Sequence, residues 1–439
     1  MVYLCVFKIT TMNLASRLLI NIPLLFLITG IMMILSGCKK TNDDPPAVPT
    51  PLMTLDFTDD FVNPKLGAIV FISDMQGNLL ADTGFTGNKK IVLFQVKGTQ
   101  LPLSFMVTIA RWEPDMHNFT ITLQSWMYIT PAEWRLKGNR RDTTGQITIN
   151  LVNVPVHNGP VLYANRGFSN LTFSTTARIN SLYETPDDLY VRVNTQNGPF
   201  YVWQNGVIPG GVYTVDMSTA VIAETKTIGF PGPAEYYEAV LSGYRQTDYE
   251  TTLSTQADEI LGDGLPAANV TLSYPPDVYE GFQTQLKYIE NWSSNTTWQY
   301  QVTGLIPEVF KKTNASVLSA ISFDQPPELL LETSGNFTVA NANWQFNAYN
   351  SQNFSWTLSG PDTVTVMKLP KLPPSMVKMF PVLSLDSLVL SHIELNEYYR
   401  YPSYLSFVSA CFNPSAPLKP ENMEVSSITV QYNLKKSAK

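Results

Sequence analysis

Leu189-Tyr-Val-Arg-Val193, then Asn197-Gly198, then Phe200-Tyr-Val-Trp203 is the stretch on which the fold turns. Two runs of β-branched and aromatic residues flank a dipeptide that accepts positive φ, the signature of a β-hairpin. Working outward, period-two alternation recurs in Phe119-Thr-Ile-Thr-Leu123, Ile147-Thr-Ile-Asn-Leu151 and Phe282-Gln-Thr-Gln-Leu-Lys-Tyr288. Each places its apolar residues on one face of a strand. A second hairpin is predicted from Ala68-Ile-Val-Phe-Ile-Ser73, the turn Asp74-Met-Gln-Gly-Asn78 and Leu79-Leu80, and a last strand over Ile428–Leu434. Helical periodicity is scarce: 256–261, 307–312 and 375–380 each supply a turn or two. With 31 prolines and 24 glycines punctuating short strands, the expected class is all-β, with two or three β-sandwich domains.

The composition supports a packed chain. Of 439 residues, 44% are hydrophobic and only 15% charged, so a sizeable core forms and disorder is not the default. Aromatics reach 12%, a share that suits pleated sheets. A net charge of −7 and the lack of a long Lys/Arg cluster exclude nucleic acid, which needs a basic patch to displace counterions.

Residues 18–35 are almost wholly apolar and follow Arg17, the order of a secretory signal. Translation is expected to begin at Met12, which opens a short n-region. The run ends in Leu35-Ser36-Gly37-Cys38, which resembles the lipobox of bacterial lipoproteins. That resemblance implies cleavage before Cys38 and diacylglycerol on its sulfur, an anchor that needs no spanning helix. The expected organisation is a signal peptide over 1–37, a proline-rich tether over 38–51, and β domains over 52–157, 158–260 and 261–439. Cys5 leaves with the signal and Cys38 is lipidated, so Cys411 is the remaining thiol, in an apolar stretch that reads as buried and inert.

Val70-Phe-Ile-Ser-Asp-Met-Gln-Gly-Asn-Leu-Leu-Ala81 resembles the prealbumin-like or carboxypeptidase-regulatory-like sandwiches of Bacteroidota surface proteins, in which an Asp-x-x-Gly turn joins two apolar strands. The lysine-then-acid tether, Lys39 to Asp44, is similar to that of surface-exported lipoproteins from the same group. Together these imply a Bacteroidota-type surface lipoprotein with prealbumin-like or immunoglobulin-like domains, held on the outer membrane and facing the cell surface, with the periplasmic face as the alternative.

Catalytic signatures are lacking. His117, His157 and His392 share no metal spacing, and neither a Gly-x-Ser-x-Gly elbow nor a phosphate loop occurs. No cofactor, metal or catalytic residue is expected. Asp59-Asp60 and Asp187-Asp188 are adjacent acids, but neighbours on a strand point to opposite faces. Binding is better argued from aromatics, because sugar C–H faces stack on rings beside amides. Trp292 in Asn291-Trp-Ser-Ser-Asn-Thr-Thr-Trp298, Trp344, Trp356, and Tyr236 and Tyr237 in Glu235-Tyr-Tyr-Glu238 are the candidates; Trp298 alternates toward the core. The expected function is non-catalytic binding at the cell surface, accessory to glycan or nutrient capture. The partners expected are a membrane, through lipid on Cys38, and a glycan or an outer-membrane transporter. The alternatives are a fimbrillin-like structural or adhesive subunit and a glycan hydrolase with an unmarked carboxylate pair.

Overall fold

The computed structural model describes residues 51–59, 61–63, 65–94, 102–114, 119–138, 145–182, 185–245, 254–324, 327–348, 352–381, 383–413 and 423–432. Cys38, the signal segment and the tether to Thr50 lie outside them, as do Asp60, His117 and Leu434. Pro51, assigned to the tether, opens the first strand, Pro51–Thr58.

Every residue of the strand Ala68–Ser73 is buried. An unbroken apolar run of this kind belongs to a strand covered on both faces. Ala68, Val70 and Ile72 enter one core with Leu55, Phe57 and Phe105. Ile69 and Phe71 enter another, with Trp344, Trp356 and Leu358. The hairpin forms as expected: Ala68–Ser73 pairs antiparallel with Leu79–Phe85. Its turn is held by the Asp74 carboxylate, which accepts from the backbone N–H of Gln76 at 3.0 Å and of Asn78 at 2.7 Å. Gly77 takes φ 84°, which a side chain would strain.

A twelve-stranded sheet carries the architecture. It runs Thr255–Tyr274, Glu224–Tyr244, Gly281–Ile289, Thr296–Gly304, Glu424–Gln431, Val389–Tyr398, Val339–Ala348, Gln352–Pro361, Phe119–Ile129, Phe105–Pro114, Ala68–Ser73 and Leu79–Phe85. Its N-terminal and C-terminal strands join where Gln352–Pro361 pairs parallel with Phe119–Ile129. Two small sheets cover its opposite faces at this end. Lys89–Phe94, Pro51–Thr58 and Ala132–Lys137 close one core; Ser316–Asp324, Pro327–Ser334 and Val366–Lys368 close the other.

A separate sandwich is built from residues 145–222. Thr176–Leu182, Gly145–Val152 and Val212–Asp216 pack on the sheet containing Val161–Asn165, Asp187–Thr195 and Gly198–Val207. Ile147, Ile149, Val191 and Val193 fill the space between them. The hairpin read from Asn197-Gly198 is present, with Thr195 opposite Gly198 and Gly198 at φ 114°.

The structure moves both expected domain boundaries. Gly145–Val152 pairs with Thr176–Leu182 and Val212–Asp216, so it opens the second sandwich rather than closing the first. Residues 154–160, which span the expected boundary at 157/158, are the crossing between the two sheets of that sandwich. The boundary at 260/261 falls inside Thr255–Tyr274, whose register with its partner Glu224–Tyr244 shifts between Gly229 and Ala234. Residues 256–261 are therefore strand and not a helical turn, and 307–312 is extended, with Val309 bridged to Gly229. The turn expected at 375–380 is the helix α1 (Pro374–Met379), and a second helix, α2 (Tyr404–Phe412), covers part of the large sheet. No helix among the described residues is long and apolar enough to cross a membrane.

Candidate functional site

The face of the large sheet shared with the Pro51–Thr58 side is polar beyond the end covered by that small sheet. Register places Glu238 opposite Lys287, Lys287 opposite Gln299, and Gln299 opposite Ser427. The next row is Val240, Gln285 and Gln301. Alternation sends Leu286 and Tyr300 inward, into a core with Leu241 and Tyr288. Gln285 and Gln299 are exposed, and the surface between these strands holds a shallow depression of about 230 Å³.

Trp292 stands at the rim of this face. The strand Gly281–Ile289 ends there, and the Asn291 side chain caps a 3-10 turn by accepting from the Ser293 N–H at 2.8 Å. The Trp292 N–H donates to the Glu235 carboxylate at 2.9 Å, which fixes the turn to the neighbouring strand. The indole is 54% exposed and lies 5.3 Å from the Tyr236 ring. Lys287 Nζ sits 5.6 Å from that ring's centroid and 3.9 Å from the Glu238 carboxylate. Burial, reinforced by the Glu238 and Asp263 carboxylates, pushes the Tyr236 phenol up, so it stays a hydrogen-bond donor. Two rings at an angle, a row of side-chain amides and a compensated charge pair can stack on and hydrogen-bond a hydroxylated ligand.

The other aromatic candidates go elsewhere. Tyr237 is on the opposite face from Tyr236, 5.3 Å from Phe230, with its ring over Gly262. Trp344 and Trp356 face each other across adjacent strands, 1% and 0% exposed, and form the centre of a core. These two are not available to a ligand: the small sheet Ser316–Asp324/Pro327–Ser334/Val366–Lys368 covers the face they occupy. The Trp356 indole N–H is satisfied within the core by Ser125 Oγ at 2.8 Å. Trp298 packs against two cores, with Lys312 Nζ 4.0 Å above its ring.

The acid pairs are also structural in setting. Asp59 lies 3.9 Å from Lys137. Asp187 and Asp188 are buried where the middle sandwich meets the long hairpin. Asp188 pairs with Arg245 at 2.9 Å and Arg166 at 3.6 Å. Burial pushes the Asp187 carboxyl up to about 6, against the bonds it accepts from the Asp188 N–H and Asn165. His157 meets the Pro155 carbonyl at 3.1 Å, and burial lowers the pKa of His392. No cluster of three or more metal-ligating side chains occurs among the described residues.

The amides Gln285, Gln299 and Gln301 were missed in the sequence, although a signal was present. The polar positions of Phe282–Tyr288 and Trp298–Val302 are the outward face of strands whose apolar positions are correctly read as core.

No family model matches the chain, and no curated protein matches it by sequence. Among solved structures it is similar to the Bacillus anthracis TIE protein, at 10% identity over 81% of this chain and 74% of that one, with a TM-score of 0.13. It is also similar to the native conformation of E. coli alpha-2-macroglobulin, at 7% identity over 76% of this chain and 26% of that one, with a TM-score of 0.11. Likenesses at that level carry no argument, so the class rests on the strands themselves: a nearly all-β protein of sandwich-like domains.

Proposed function

We propose that this protein is an exported lipoprotein, anchored on the outer membrane through Cys38, that captures glycan on the sheet face bordered by Trp292 and Tyr236. The carrying observation is one exposed indole beside a phenol, at the rim of the face that carries Gln285 and Gln299. Ring faces attract the electropositive C–H side of a sugar, and amides donate and accept to its hydroxyls. The address is supported by Leu35-Ser-Gly-Cys38 at the end of an apolar run and by the polar, proline-rich stretch that follows.

A glycan array probed with the mature chain tests the site. Trp292→Ala and Tyr236→Ala are each expected to weaken the bound glycan about tenfold, roughly 1.4 kcal/mol. Binding that survives Trp292→Ala unchanged overturns the site, and an array with no bound glycan overturns the class. For the anchor, Cys38→Ala should move the protein from the membrane to the soluble fraction and abolish labelling by a fatty-acid analogue.

A further inference from the structure

The same polar face continues beneath helix α2, where helix and sheet do not fully meet. The helix is fixed at one end by the Ser403–Ser406 capping box and by Tyr404, whose hydroxyl donates to the Ser359 carbonyl at 3.0 Å. At its other end Phe412 stacks on Trp134 at 4.3 Å. Between these anchors Phe407 stacks on Tyr398 at 3.9 Å. The strands below carry Gln124, Asn341 and Ser359, polar side chains on the sheet face that the helix crosses. A cavity of about 180 Å³ remains, with Trp126, Tyr398 and Phe407 as walls and the three polar side chains as floor.

Three properties narrow what fits. The volume is slightly above the ~150 Å³ that holds one benzene, so a single six-membered ring enters and two do not. Among the described residues no acidic or basic side chain lines the cavity, and the Glu394 carboxylate behind Asn341 would repel an anion, so a neutral ligand is favoured. The floor is preset: Ser359 Oγ donates to Asn341 Oδ1 at 2.7 Å, and Asn341 Nδ2 donates to the Glu394 carboxylate at 2.9 Å. A purely apolar ring would desolvate that floor without offering it a hydrogen bond.

We propose that this cavity is a second ligand site, taking one neutral, polyhydroxylated six-membered ring, a single sugar residue. The ligand class rests on the glycan reading of the Trp292 face, but the residues are different, and the two fail separately.

Saturation-transfer NMR on the mature chain with glucose, galactose, N-acetylglucosamine, glucuronate and indole tests it. At least one neutral sugar should bind, glucuronate and indole at least tenfold more weakly. That signal should persist in Trp292→Ala, which loses only the longer glycan. It should vanish in Ser359→Leu, which fills the cavity, and in Gln124→Glu, which charges it; a thermal melt confirms that each variant is folded. Neutral-sugar binding retained in either folded variant, binding of indole or glucuronate as strong as that of the sugars, or no sugar binding at all would overturn the proposal.

Discussion

The Arg192 guanidinium and the Asp258 carboxylate meet at 2.5 Å, with side chains 4% and 0% exposed. Arg192 belongs to the middle sandwich and Asp258 to the long hairpin, so one ion pair joins two parts of the chain. Burial pushes the Asp258 carboxyl up, while Arg192 and the N–H groups of Ser273 and Glu259 pull it back. Removing one partner leaves a buried charge without compensation. Asp258→Ala should therefore cost about 3–5 kcal/mol in chemical denaturation, and Arg192→Met/Asp258→Leu together should recover most of it. Equal losses in the single and double variants would show that the pair does not act as a unit.

Asp187 gives the same interface a pH dependence of definite sign. Its carboxyl titrates near 6 in the folded chain and near 3.8 in the unfolded one. As the pH falls from 7 toward 4, the folded state takes up this proton first, so the group adds stability across that window. Measured against Asp187→Asn, which cannot titrate, the wild type should gain relative stability between pH 7 and 4. A constant difference across that range contradicts the assignment.

Trp356 and Trp292 should separate stability from binding. Trp356→Ala empties the middle of a core and is expected to cost about 3–5 kcal/mol. Trp292→Ala removes a half-exposed ring and should stay within about 0.5 kcal/mol while losing glycan. Paired thermal melts and binding isotherms on the two variants distinguish the roles.

Cys411, read from the sequence as buried, is half-buried, and its thiol should still be slow to react. Burial pushes its thiol up to about 12, so little thiolate exists at pH 8. Alkylation by iodoacetamide is expected to be roughly a hundredfold or more slower in the folded protein than in denaturant, where the thiol titrates near 8.5. Equal rates in the two states would place the sulfur in solvent.

Much of the fold was legible locally. Ala68–Ser73 and its Asp74–Asn78 turn are read from five apolar residues and Ser73 followed by a turn that needs Gly77, and the structure keeps those limits. Helix α2 was read only as an apolar stretch, although Ser403 and Ser406 already form its capping box. Trp344 and Trp356 misled because they sit among Asn, Gln and Ser, which suggests surface. Those polar neighbours occupy the other face of the same strands, where Asn343 donates to Ser355 and Thr357 at 3.1 and 2.9 Å.

By itself the sequence determines what is local: alternation, hairpins, positive-φ turns, an all-β class and the polar positions of each strand. Those follow from φ/ψ preferences and a period of two, which act over a few residues. Only the tertiary structure decides which face of each strand is covered. The parallel pairing of Gln352–Pro361 with Phe119–Ile129 merges two regions into one sheet, and the small sheet of Ser316–Asp324, Pro327–Ser334 and Val366–Lys368 laid on it buries Trp344 and Trp356. A period-two pattern defines two faces but not their coverings. Those come from contacts between residues far apart in the chain, and the same contacts leave Trp292 and Tyr236 at the open rim.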